Sequence, residues 1–143
     1  MKFYIAASME FQEEAKDIAH RVSRYAKEWV CGSRWIFKKP VSSGFHLKVA
    51  AIEDFDDLKE ASALVFVHPG VSTSGGKYVE MGIALALEIP IIYYSPDRRN
   101  SAVNRPIFYH LPQVRKVRSI VGISDLLEEI GINLKKKPPP PPS

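Results

Sequence analysis

A chain of 143 residues, 45% apolar and 25% charged, has the length and composition of one globular domain with a real core. Lys135, Lys136 and Lys137 carry most of the net charge of +4, so the body is nearly neutral and a polymeric nucleic-acid partner is not expected. The single cysteine, Cys31, excludes an internal disulfide framework and a cysteine-rich zinc site, and no apolar run nears the roughly 20 residues needed to span a bilayer. Glu10, Glu13 and Glu14 follow the start too closely for a signal peptide, so a cytoplasmic location without a membrane partner is the expectation.

Phe3 to Ala7 reads as a buried first strand. From Glu10 to about Trp29, apolar residues from Ala15 through Ile18, Val22 and Trp29 recur at helical spacing and predict an amphipathic helix. Arg34 to Phe37 predicts a second strand, followed by a loop from Pro40 to Gly44. His46 to Ala61 predicts a helix that turns Val49, Ile52, Leu58 and Ala61 toward the core. Ala63 to Val67 predicts a third strand, continuous in its apolar character as expected when both faces are covered. Gly76 to Glu88 predicts a third helix and Pro90 to Tyr94 a fourth strand. A short fifth strand is expected within Val114 to Val121, then a last helix from Ser124 to Ile130 capped by Ser124. After Leu134 no core-forming residue remains. The domain is therefore expected over residues 1–134, with a disordered or polyproline II tail over residues 135–143, read as inert in preference to a docking element.

Strands alternating with helices point to an α/β fold: a flavodoxin-like, doubly wound sandwich on a five-stranded parallel sheet. Ligands in such sheets sit beyond the carboxyl ends of the strands. That edge carries Ala6, Ala7 and Ser8, the loop from Val41, the loop from His68 to Lys77 and the loop from Ser95 to His110. Val71 to Gly76 is a Ser- and Gly-rich loop opening a helix, a geometry that presents free backbone N–H groups to an anion. It is not a Walker A loop, because Tyr78 follows Lys77 where Ser or Thr is required. No Gly-x-Gly-x-x-Gly follows the first strand, and the four histidines lack the spacing of a metal site. His68 is expected to be structural. Glu80 stands just inside the helix, before Met-Gly-Ile-Ala-Leu-Ala, where a lone acid needs a reason. The bland alternatives are an acid favoured by the helix terminus for Glu80, capping for Ser72, Thr73 and Ser74, a solvated helix face for Asp54 and a core aromatic for Tyr4. Trp35, Phe37 and Phe45 are candidates to stack on a base, though core positions suit most of them better.

Five segments in order carry a resemblance: Lys2 to Ala6, Ser33 to Ile36, Glu53 to Leu58, Ser72 to Ala86, and Phe108 to Pro112. Together, over residues 2 to about 130, the chain resembles the nucleoside 2-deoxyribosyltransferases and the related 2′-deoxynucleoside 5′-monophosphate N-glycosidases. The resemblance implies the flavodoxin-like fold and cleavage of the N-glycosidic bond of deoxynucleosides or deoxynucleotides, without metal or organic cofactor. It implies that Glu80 is the nucleophile, that Asp54 handles the proton of the departing base and that Tyr4 orients the nucleophile or the sugar. Ala6, Ser72, Ser74, Gly75 and Gly76 would bind substrate. Ser74 matches the position that contacts phosphate in the nucleotide hydrolases, where the transferases carry Asp. Ser62 departs from the family's usual Asp. The stretch from Asp97 to Pro106 would reach a neighbouring subunit's site through Ser101 or Asn104, so a homodimer or higher homo-oligomer is implied. Two carboxyl groups suit an oxocarbenium-like transition state, as in retaining glycosidases. The competing reading is a non-catalytic nucleotide-binding or sensor module on the same scaffold.

Overall fold

The computed structural model describes residues 1–39, 43–68, 75–96, 107–136 and 142. Five strands, β1 (Lys2–Ala6), β2 (Val30–Cys31), β3 (Ala63–Val67), β4 (Ile91–Tyr94) and β5 (Val114–Val117), form one sheet in the order β2-β1-β3-β4-β5. Every pairing is parallel, with Tyr4 opposite Leu64 and Ala6 opposite Phe66. The helices are α1 (Gln12–Tyr25), α2 (Gly44–Lys59), α3 (Gly76–Ala86) and α4 (Ile120–Lys136). Helix α1 packs on α4, and α2 on α3. This is the predicted doubly wound sheet. Its order reverses at β1, which places the switch-point crevice beyond the carboxyl ends of β1 and β3.

The two central strands are legible in the sequence because covering both faces demands unbroken apolar runs, and β3 is buried at every position. Phe3, Tyr4, Ile5, Phe66 and Tyr93 fill the middle of the core, and Trp29 closes it from the end of α1. The Phe108–Pro112 segment serves the same core: its residues up to His110 form a short 3₁₀ turn, and Tyr109 sets its ring edge-on to Tyr93 at 4.6 Å. Among the described residues no helix is long and apolar enough to cross a membrane.

Several expectations are corrected. The second strand is Val30–Cys31, whereas Arg34–Phe37 is a 3₁₀ turn. Polar contacts impose that turn: Gln12 Nε2 donates to Trp35 O at 2.8 Å and to Lys38 O at 2.5 Å, and Trp35 Nε1 donates to Ile5 O at 2.9 Å. Trp35 is thereby core, while Phe37 and Phe45 are exposed. Helix α2 buries Leu58, with Ala61 buried just beyond it, but leaves Val49 and Ile52 exposed. Helix α4 starts four residues earlier than expected. Ser119 Oγ accepts from Gly122 N at 3.0 Å as its cap, and Ser124 lies inside the helix, donating back to Ile120 O at 3.2 Å. The same helix runs on through Lys136, into the expected tail, and Lys135 pairs with Glu28 at 2.7 Å. The remainder of the tail lies outside the described residues save for Pro142.

Candidate active site

The site grows from three elements that meet on one side of the sheet. Side chains alternate along β1, so Tyr4 and Ala6 share a face, and the extended backbone at Ser8 carries that column to the strand's carboxyl end. Tyr4 and Ala6 are fully buried. Helix α3 lies over β1 and β3 and brings Glu80 to the Tyr4 phenol; α2 packs beside α3 and adds Asp54. The structure thus gathers Tyr4, Asp54 and Glu80, residues separated by half the chain, into one electrostatically coupled cluster.

Glu80 is the fifth residue of α3, so attraction of acids to a first helical turn does not account for it. The N-cap is Gly75, which has no side chain with which to cap. Gly75 is exposed, and a side chain there would meet nothing within 4 Å among the described residues. Gly76 starts the helix and is also exposed. Ser72, Ser74, Ser101 and Asn104 lie outside the described residues.

Burial outweighs the helix dipole at Glu80. Desolvation first, then the charge of Asp54, pushes its pKa up to about 8, against a small opposing effect of the Tyr4 phenol. Asp54 rises to about 6, through desolvation and then the like charges of Asp57 and Glu53, offset in part by Lys38 and Arg34. The Tyr4 phenol is driven upward by burial and by both carboxyls, so it stays a neutral hydrogen-bond donor. Both carboxyls are thus raised above their ordinary range, by burial first and then by neighbouring like charge.

The Tyr4 phenol and the Glu80 carboxyl are buried against each other, Glu80 Oε2 with no strict hydrogen-bond partner, and Ser8 Oγ is buried with none among the described residues. Buried polar atoms are nearly always satisfied, so the Ser8 hydroxyl at the carboxyl end of β1 suits a polar ligand. Ser8 was placed on the ligand edge by the sequence but not singled out; its signal was its period-two spacing from Tyr4 and Ala6.

Other residues singled out in the sequence take the following places. His68 is fully buried at the end of β3, its N–H donating to Tyr94 O at 2.9 Å and its ring 5.6 Å from Tyr93. No cluster of three potential metal ligands occurs among the described residues. Ser62 serves the backbone, its N–H donating to Lys2 O at 2.8 Å. Lys77 is 1% exposed, and its Nζ donates to Val67 O at 3.3 Å beside the rings of Phe66 and Tyr78.

Known structures share this architecture. A CMP N-glycosidase from Clostridium botulinum aligns at TM-score 0.59 and 19% identity, covering 90% of this chain and 99% of that one. A conserved protein from Enterococcus faecalis V583 aligns at 0.61 and 20%, covering 93% and 98%. A 2-deoxyribosyltransferase from Bacillus psychrosaccharolyticus aligns at 0.60 and 12%, covering 87% and 91%. These likenesses establish the fold. No curated protein sequence matches the chain. The family model for nucleoside 2-deoxyribosyltransferase matches residues 3–134, almost the whole chain and all three coupled residues, and the protein therefore belongs to the nucleoside 2-deoxyribosyltransferase family.

Proposed function

We propose that the protein cleaves the N-glycosidic bond of a 2′-deoxynucleoside or its 5′-monophosphate and passes the sugar to water or to a second base. The observation that carries this reading is the coupled pair Glu80 and Asp54 beside Tyr4, both raised by burial and neighbouring charge, Glu80 to about 8 and Asp54 to about 6. Between those values the pair holds one proton, the number that nucleophilic displacement with leaving-group protonation requires.

In the first step the C1′–N bond breaks and its electron pair leaves with the base, which takes the proton of Asp54. The Glu80 carboxylate forms the new bond to C1′ as a deoxyribosyl ester. In the second step water or an acceptor base attacks C1′, its proton passes to Asp54, and Glu80 leaves as carboxylate. The resting proton sits mostly on Glu80, whose affinity is the higher. The reactive arrangement, Glu80 ionised and Asp54 protonated, is the minor form of the singly protonated pair. Positive charge developing on the sugar beside Glu80 favours that arrangement as the bond breaks.

The test is to incubate the protein with each deoxynucleoside and its 5′-monophosphate, with and without an acceptor base, and to separate the products. Free base without acceptor identifies a hydrolase; base exchange identifies a transferase. Saturable nucleotide binding without turnover contradicts the enzyme reading and supports the binding module. kcat/KM is expected to be bell-shaped in pH. It falls below about 6, where both carboxyls are protonated and no nucleophile remains, and above about 8, where both are ionised and no proton remains for the base.

The proposed cytoplasmic enzyme also self-associates. Phe45, Val49 and Ile52 recur at helical spacing along the exposed side of α2, joined by Phe55 and by Val79 of α3. This apolar stripe flanks both Asp54 and Glu80 in sequence, and a second copy covering it would also shield the site. Light scattering is expected to report a dimer or larger assembly; a monomeric mass at micromolar concentration contradicts this.

A further inference from the structure

Asp54 is half-buried, and its carboxyl sits among charges of both signs. The groups that face it are Glu53 and Asp57 from its own helix, Arg34 and Lys38 from the 3₁₀ turn, Glu80 from α3 and Tyr4 from β1. The four charges on α2 and the turn are organised. Asp57, only 8% exposed, lies one helical turn beyond Asp54 and grips Arg34 at several points. Its Oδ2 accepts from Arg34 N at 3.0 Å, its Oδ1 from Arg34 Nε at 2.9 Å, and Arg34 Nη2 stands 2.9 Å from Oδ1. Glu53, on the other flank, pairs with Lys38 and lies 3.8 Å from Arg34 Nη1.

A plain strand-to-helix connection does not need this. The turn is already anchored from the opposite side by Gln12 and by the Trp35 indole, and Ser33 Oγ accepts from Ile5 N at 2.7 Å. A fork-shaped guanidinium held by a nearly buried carboxylate is a directional contact, so it fixes where the positive charge lies. Here the charge is fixed onto Asp57, one turn along the helix from Asp54, from where it still offsets part of the upward push on the Asp54 carboxyl.

We propose that the Arg34–Asp57 clamp and the Lys38–Glu53 pair form the positioning device of Asp54, holding its carboxyl toward Glu80 and fixing the charge that surrounds it. These are positioning residues: they act on the reaction only through Asp54. The inference rests on the role given to Asp54 in the proposed function, and its test is chosen to stand apart from turnover.

The test is a carboxyl NMR titration of Asp54 in the full chain, with Asp54→Asn assigning the signal. Asp57→Asn removes a like charge and releases Arg34, so the Asp54 midpoint is expected to fall by about 0.5–1 pH unit. Lys38→Met removes an attracting cation from the exposed surface, so the midpoint is expected to rise by about 0.5 pH unit. If Asp57→Asn does not fold, Glu53→Gln gives the same downward direction. Shifts of opposite sign establish the device. Midpoints that stay within about 0.2 pH unit of wild type, or that all move the same way alongside lost thermal stability, overturn it and leave a merely structural tie. The titration is read whether or not substrate turns over, so inactivity of the wild type sinks the proposed function without deciding this point.

Discussion

Glu80→Gln is expected to lower kcat by at least about 10³-fold, and at the same time to make the protein more stable. The loss follows from removing the atom that forms the bond to C1′: the amide is nearly isosteric but has no nucleophilic carboxylate. The gain follows from linkage. An ordinary glutamate ionises at 4.5, and in the folded chain burial raises Glu80 to about 8. Between those values the native state binds more protons than the unfolded chain, so wild-type stability falls as pH rises through the window. The variant loses that fall. Near pH 8 it is expected to exceed wild type by about 3–4 kcal/mol, with the difference vanishing below pH 4.5. Denaturant titrations at several pH values measure this. Full activity in Glu80→Gln contradicts its role as nucleophile; a destabilised variant at pH 8 contradicts the account of its burial.

Lys77→Met is expected to stabilise the fold by about 2–3 kcal/mol at pH 7. The ammonium is buried at the head of α3, and desolvation lowers it from 10.5 to about 8, with Glu10 opposing weakly. Its bond to Val67 O and its approach to Phe66 and Tyr78 recover only part of that cost. The sign is opposite to that of Glu80. Between pH 8 and 10.5 the unfolded chain binds more protons than the native one, so wild-type stability rises with pH across that range. The advantage of the variant is therefore largest below pH 8 and disappears above about 10.5. Equal stabilities at pH 7, or a difference that grows with pH, contradict a costly buried charge.

These two residues show what the sequence makes legible and what it does not. The strand–loop–helix order and the odd acid at Glu80 are visible because apolar β3 and the small-residue α3 leave few alternatives. Asp54 and Tyr4 join Glu80 only through a familiar motif order, since nothing in their local pattern reveals that α2 and β1 meet α3. Lys77 stands where the loop from His68 gives way to the predicted helix; its burial depends on how α3 packs on β3, which spacing alone does not encode. The Trp35-Ile36-Phe37 run has strand-like composition, but side-chain bonds from Gln12 and Trp35 to distant backbone groups win over propensity and make a turn. The α2 stripe failed as a core prediction because a helix apolar on two sides does not declare which side faces inward; Asp57 and Leu58 settle it. The assignments of Ser72, Ser74, Ser101 and Asn104 to substrate remain proposals from the motif alone.

The nucleophilic role of Glu80 is open to one decisive measurement: acid-quench the wild type during turnover of a deoxynucleoside or its 5′-monophosphate, record the intact mass, and map the modified peptide. The expected result is a mass increase of one deoxyribosyl or deoxyribosyl-phosphate group on the peptide carrying Glu80, absent in Glu80→Gln. Steady release of base with no adduct, or with the adduct on another residue, contradicts it.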